Sequence, residues 1–222
     1  MNDAEIVEKT IAFVKDRLKG AEGGHDWFHI QRVFRNTMLI ARHEDVHILV
    51  VSLGALLHDI ADAKFHGGDE TIGPGVAAAF LKDIAVDDNI IAHVQKIIQY
   101  CSFKNSLDPK VTPFSSKELQ VVRDADTLDA MGAIGIARAF NYGGFKNRKL
   151  HDPEVPPRLK MTKEDYKKGN GPTINHFYEK LLLLKDRMNT TTGKRLADQR
   201  HQFMLRFLEQ FYSEWNGEEP HP

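Results

Sequence analysis

The most apolar run of this chain ends in a histidine and an aspartate. The run covers residues 48 to 57, and His58 and Asp59 follow it directly. An ionised carboxylate among leucine and isoleucine side chains is costly unless a cation or a proton compensates its charge. The run is shorter than the roughly 20 apolar residues that a membrane-spanning helix needs. We therefore predict a buried, central helix whose charged end faces a bound cation.

Two more residues of the same types, His29 and Asp126, lie on two other predicted helices. With His58 and Asp59 they offer two imidazoles and two carboxylates, a donor set that suits a first-row divalent cation or Mg²⁺. Helices of an all-α bundle can direct such side chains at one point in the core. A centre of this kind keeps positions open for water and substrate. The residue types thus predict a metal centre.

Composition bounds the class of protein. A chain of 222 residues with 41% hydrophobic content can bury one sizeable core, so we predict one domain over residues 1–215 and a disordered tail over 216–222. A formal net charge of -1 argues against nucleic acid as a partner. The single Cys101 cannot form an internal disulfide, and the acidic start lacks an apolar export segment. We expect a cytoplasmic protein that does not bind membranes, and the oligomeric state stays open.

Apolar residues recur at helical spacing along most of the chain, and no segment alternates as a strand would. The fold class predicted is therefore all-α, a single-domain helical bundle. A capping box of Ser115 and Glu118 marks the start of one helix. The predicted helices cover, approximately, residues 7–18, 30–41, 48–61, 74–84, 88–98, 115–140, 173–188 and 191–215.

The segment from 141 to 171 lacks this periodicity and is rich in Gly, Pro, Lys and Arg. Loops of this length are usually functional or mobile. We predict a long basic loop that acts as a lid, followed by two closing C-terminal helices.

Three segments stand in the order of a known signature. Residues 25–33, 56–60 and 122–129 resemble the ordered H…HD…D signature of the HD-domain metal-dependent phosphohydrolases. Residues 130–138 and 176–197 resemble one bacterial subgroup of small, stand-alone members of that superfamily. The resemblance therefore covers most of the chain.

The resemblance implies that His29, His58, Asp59 and Asp126 are the ligands of one divalent metal ion, which would be Mn, Mg, Co, Ni or Fe. This agrees with the cost of burying Asp59 without a cation. It also implies a small-molecule phosphate ester or nucleotide as substrate, because similar stand-alone proteins include nucleotide pyrophosphohydrolases.

Three residues near the expected ligands are candidates for catalysis. Asp62 and Lys64 follow His58 and Asp59 by about one helical turn, where a carboxylate could orient or deprotonate water and an ammonium could face a phosphate. Arg32 shares a helix face with a predicted ligand and could bind a phosphate with two hydrogen bonds. The alternatives are an exposed helix end for Asp62 and Lys64, and a surface salt bridge for Arg32.

Two further residues are candidates for substrate binding, His25 and Cys101. Many sequences similar to this one have a histidine where Cys101 stands, so this chain has lost or replaced any help that the imidazole supplies. Asp26 can cap the helix that follows it, support the metal centre, or do both. Asp124 and Asp129 fit a solvated helix face.

Several functions remain open at this stage. The highest-ranked is a nucleoside triphosphate pyrophosphohydrolase, followed by a nucleoside monophosphate phosphatase or a cyclic-nucleotide phosphodiesterase. A different class is a regulatory module that binds metal and nucleotide without turnover, which the cysteine at position 101 favours. Release of phosphate or pyrophosphate from a panel of nucleotides would separate the two classes.

Overall fold

The regular structure of this protein is helical wherever the computed structural model describes it, which is over residues 1–20, 26–60, 72–101, 114–159 and 171–218. The all-α prediction is confirmed. The helices in those ranges are α1 (Asp3–Arg17), α2 (Trp27–Ala41), α3 (Ile48–Leu57), α4 (Ile72–Asp83), α5 (Asp88–Cys101), α6 (Lys117–Asp129), α7 (Gly132–Phe145), α8 (Asn175–Glu179), a 3-10 helix (Leu181–Arg187) and α9 (Thr191–Asn216).

The chain divides into two compact units, Met1–Asp126 and Thr127–Pro222. In the first unit α3 is central, because α1, α2 and α5 all pack against it and α4 packs against α5. Every α3 residue after Ile48 is buried. A Cβ atom on Gly54 would lie 3.0 Å from the Ile97 side chain, so this glycine lets α5 approach α3 closely.

Helix α3 ends earlier than its apolar pattern suggests. The helix stops at Leu57, and residues 58–60 form a turn. The Ala55 carbonyl accepts a hydrogen bond from the His58 ring at 2.8 Å, which gives one of the last helical carbonyls a side-chain partner. His58 and Asp59 therefore lie at the end of the helix rather than within it.

The start of α6 corrects the predicted capping box. The helix begins at Lys117, and the Ser116 hydroxyl accepts a hydrogen bond from the Leu119 backbone N–H at 3.1 Å. The cap is thus one residue later than Ser115. Glu118 accepts instead from the His47 backbone N–H at 3.1 Å, so its side chain links α6 to the start of α3.

In the second unit, α9 packs against α7 and the 3-10 helix. The sequence predicts a helix over 115–140 in which Gly132 and Gly135 allow a bend or close packing, and the structure has two helices there because the chain turns at Gly132, whose φ is +68°. Helix α7 continues to Phe145, so the first residues of the predicted loop are helical. The first closing helix is also interrupted, since Lys180 leaves helical geometry between α8 and the 3-10 helix.

Several expectations stay predictions. Residues 160–170 of the expected lid and 219–222 of the expected tail lie outside the described residues, and α9 continues through Asn216. Among the helices described, none combines the length and the apolar character that a membrane span requires.

Candidate metal centre

Helix α2 presents His29 in its first turn. The Asp26 carboxylate caps this helix by accepting a hydrogen bond from the His29 backbone N–H at 2.9 Å, as the sequence predicts for a capping residue. The imidazole of His29 is buried, with 3% of its side chain exposed. The cap therefore orients the first turn that carries this imidazole.

His58 stands directly after α3, and its ring has a defined protonation pattern. Its Nδ1 lies 2.8 Å from the Ala55 carbonyl oxygen, which can only accept, so Nδ1 carries the proton and donates. Nε2 then keeps its lone pair. A backbone carbonyl on the second ring nitrogen is a common arrangement for metal-binding histidines because it sets the tautomer and the ring orientation.

The four predicted ligands come together in the first unit. His29 Nε2 lies 3.5 Å from Asp126 Oδ1 and 3.8 Å from Asp59 Oδ2. His58 Nε2 lies 3.8 Å from each of the same two oxygens. One donor atom from each of His29, His58 and Asp126 falls within 4.8 Å of the others.

These separations fit the chemistry of a divalent cation. Metal–ligand bonds of about 2.1 Å place neighbouring ligands about 3.0 Å apart in an octahedron and about 3.4 Å apart in a tetrahedron. The observed 3.5–3.8 Å is close to such a spacing and too long for direct hydrogen bonds. His29, His58 and Asp126 are therefore held at the spacing of ligands around one ion, and one Asp59 oxygen lies 3.8 Å from both imidazoles.

Exposure differs between the two kinds of donor. Both imidazoles are 3% exposed, whereas the side chains of Asp59 and Asp126 are 24% and 41% exposed. The imidazoles thus form the floor of the centre, and the carboxylates face its accessible side. A substrate that approaches the centre would meet the carboxylates first.

Comparison with known proteins places the chain in a family. Residues 27–131 match the HD domain. The Bacillus subtilis protein YpgQ is 34% identical over 219 residues, which make up 98% of this chain and 97% of YpgQ. The chain belongs to the HD-domain family.

Solved structures extend this likeness along almost the whole chain. An HD-superfamily hydrolase from Bacillus thuringiensis shares 40% identity with a TM-score of 0.78, and the match covers 97% of this chain and 99% of that one. The crystal structure of YpgQ in complex with ADP gives 31% identity and a TM-score of 0.73, covering 96% and 97% of the two chains. The family relationship indicates metal-dependent phosphohydrolase chemistry in general.

The remaining predicted residues of this HD protein differ in what the structure says of them. Arg32 is half-buried on α2, three residues after His29. His25, Asp62 and Lys64 lie outside the described residues. Their assigned roles stay predictions.

Cys101 is the last residue of α5 and is half-buried. Burial, together with the carboxylates of Asp126 and Asp59, raises the pKa of its thiol well above the ordinary value, while Arg123 acts in the opposite direction. The thiol is therefore protonated and uncharged at neutral pH. The substrate-binding role assigned to Cys101 stays a prediction.

The solvated face proposed for α6 is wrong. Asp124 and Asp129 are both buried, with 1% exposure each. Asp129 forms an ion pair with Arg138 of α7. The pattern of α6 alone does not reveal this partner. The aspartate of α6 that stays accessible is Asp126.

Two residues that hold α6 were missed from the sequence. Asn36 donates from Nδ2 to the Ala125 carbonyl at 3.3 Å, beside the predicted ligand Asp126. Arg123 donates from Nε to the Tyr100 carbonyl at 3.1 Å. A signal existed for Asn36, because it stands two helical turns after His29 on α2 and shares its face.

Proposed function

We propose that this protein hydrolyses nucleotides with the help of a divalent metal, and that nucleoside triphosphates, cleaved to a monophosphate and pyrophosphate, are its first candidate substrates. One observation carries the proposal. Each imidazole Nε2 of His29 and His58 lies 3.5 to 3.8 Å from one carboxylate oxygen of Asp59 and one of Asp126, and both carboxylates are partly exposed. The nucleotide class is supported by the ADP complex of YpgQ.

His29, His58, Asp59 and Asp126 would hold the metal. A divalent cation at such a centre supplies Lewis acidity, polarising a phosphoryl oxygen and lowering the pKa of a coordinated water. The hydrogen bond from His58 to Ala55 keeps the Nε2 lone pair directed at the carboxylates. Burial of both imidazoles excludes water from the floor of the site.

In the proposed reaction, Asp62 orients the attacking water and accepts its proton. The oxygen of that water bonds to the α-phosphorus, the bond from this phosphorus to the bridging oxygen breaks, and pyrophosphate leaves. Arg32 and Lys64 offset the negative charge that develops on the phosphoryl oxygens. The uncharged thiol of Cys101 adds no negative charge near the phosphates.

Two related reactions use the same centre. A nucleoside monophosphate phosphatase would release inorganic phosphate, and a cyclic-nucleotide phosphodiesterase would open a cyclic diester. The non-catalytic alternative predicts saturable nucleotide binding without any product. The products therefore separate all four possibilities.

The test is a panel of nucleoside triphosphates, diphosphates, monophosphates and cyclic monophosphates, each with Mn²⁺, Mg²⁺, Co²⁺ or Ni²⁺. We expect pyrophosphate from triphosphates with at least one metal. Turnover should be lost in His58→Ala and Asp126→Ala. It should persist in Asp45→Ala, which removes an aspartate whose side chain is 97% exposed.

No product from any nucleotide with any metal, alongside nucleotide binding, would overturn the enzymatic proposal. Inorganic phosphate from monophosphates alone would replace it by the phosphatase. Equal turnover in wild type and Asp126→Ala would exclude the four-residue centre as the site of reaction.

A further inference from the structure

Helix α6 ends one turn after the proposed ligand Asp126, and arginine side chains occupy its end. The last four carbonyl groups of an α-helix lack partners within the helix. Here the Arg200 guanidinium donates to the Leu128 carbonyl, and Arg138 donates to the Asp129 carbonyl at 3.2 Å. Both donors and both acceptors belong to the second compact unit. Two cations thus join the backbone N–H groups of Ala130 and Met131 in binding the carbonyls at the end of the turn that contains Asp126.

Asp129 itself stands in an unfavourable place for a carboxylate. Its side chain is 1% exposed, and it lies at the carboxyl end of a helix, where the helix dipole is negative. Removing one partner from a buried ion pair of this kind is strongly destabilising. Arg138 binds the Asp129 carboxylate. Burial lowers the pKa of Arg200, and the negative charge of Asp129 acts in the opposite direction. We call these three residues the Asp129 network.

The chain makes room for this network at the next helix. Gly132 begins α7 with a φ of +68°, a conformation that favours glycine. A Cβ atom at this position would lie 3.1 Å from Cγ of Arg200. The glycine thus serves the turn and the passage of the arginine toward Leu128.

We propose that Asp129, Arg138 and Arg200 are positioning residues for Asp126, and that they set the affinity of the metal centre. Helix ends fray, and Asp126 belongs to the last turn of its helix. When that turn is held in helical form, the Asp126 carboxylate is already oriented before the metal binds. Metal binding then does not have to order it, so the affinity is higher. The inference rests on the proposed metal centre, since it names what supports one of its four ligands.

The experiment measures the affinity of the full chain for Mn²⁺ by competition with a chelator. Arg200→Met and Asp129→Asn should each bind Mn²⁺ about 10-fold to 100-fold more weakly, the range typical of residues that support a ligand. Arg200→Lys keeps a cation and a donor and should recover part of the loss. Circular dichroism checks that each variant is folded.

The second unit contains a matched control. Arg158 pairs with Glu179 through its Nε at 3.1 Å, and the Glu179 side chain is 5% exposed. Arg158→Met breaks a pair whose carboxylate is also buried but belongs to α8 rather than to α6. It should leave Mn²⁺ affinity unchanged, whereas a loss equal to that of Arg200→Met would show that any buried pair has this effect and would overturn the proposal.

The outcomes separate this inference from the proposed function. If Asp129→Asn and Arg200→Met fold and bind Mn²⁺ as tightly as the wild type, the positioning role of the Asp129 network is wrong. The proposed metal centre would still stand. If Arg200→Met does not fold, Asp129→Asn and Arg200→Lys decide in the same way. Absence of Mn²⁺ binding in the wild type, with each of the other divalent metals also failing, would overturn the proposed centre and the positioning role with it.

Discussion

Asp126 and Asp129 stand three residues apart on one helix and meet opposite kinds of partner. Asp126 is 41% exposed and faces two imidazoles, whereas Asp129 is 1% exposed and pairs with an arginine. A neutral imidazole leaves the carboxylate charge uncompensated, while a guanidinium neutralises it permanently. The same side chain therefore suits a metal ligand in one place and a structural ion pair in the other. The charge of the partner decides between them.

The strongest way to break this comparison is to remove Asp126. Asp126→Ala should lose most of its metal, because deleting one of four donors removes affinity and geometry together. Elemental analysis of the purified variant measures this loss, with Asp45→Ala as control. A fully occupied variant would exclude Asp126 from the shell.

The second prediction contrasts the two aspartates in the presence of a chelator. Asp129→Asn should lower the free energy of unfolding by about 1 to 3 kcal/mol, because the half-buried Arg138 then loses its ion pair with a buried carboxylate. Asp126→Asn should have little effect or stabilise the metal-depleted protein, because it removes one of two carboxylates that lack a cation. Urea denaturation measures both. Similar losses in the two variants would show that the partners do not distinguish these residues.

The third prediction concerns Asp62, a carboxylate assigned to water rather than to metal. Asp62→Asn should lower turnover by roughly a hundredfold, the usual range of a general acid or base, and leave metal content unchanged. Steady-state kinetics and elemental analysis on the same sample separate the two effects. Loss of metal would make Asp62 a ligand, and turnover within about threefold of wild type would end its catalytic assignment.

The fourth prediction extends the comparison to an imidazole next to cations. Burial, Lys180 and Arg148 lower the pKa of His176 to about 4 from an ordinary 6.5. Between pH 6.5 and about pH 4, His176 is protonated in the unfolded chain and neutral in the folded protein. The free energy of unfolding therefore decreases as the pH falls through this range. The loss approaches about 2 to 3 kcal/mol at the lower end.

Urea denaturation of wild type and His176→Gln across that pH range measures this contribution as a difference. The variant should lose less stability than wild type on acidification. Parallel curves would show that His176 titrates normally in the folded protein.

Much of the local structure was predictable from sequence, including the Asp26 cap of α2, but the start of α6 was not. Periodic apolar residues predicted α2, α3 and α5 because each helix must bury one side against its neighbours. The cap of α6 at Ser116 rather than Ser115 depends on the choice of a single residue. Neighbouring serines have equal intrinsic tendency to cap a helix, so only the contacts of the folded chain select one.

The sequence by itself determined the helical class and predicted the residues of the metal centre, because periodicity and ligand chemistry are properties of residue types and spacing. Only the tertiary structure decided which aspartates of α6 are exposed and which are paired. Asp124, Asp126 and Asp129 carry the same carboxylate on the same helix, and their burial differs because other helices supply different neighbours. His29 and His58 come from distant parts of the chain and Arg138 from the next helix, so the pattern of α6 alone cannot assign the roles of Asp126 and Asp129.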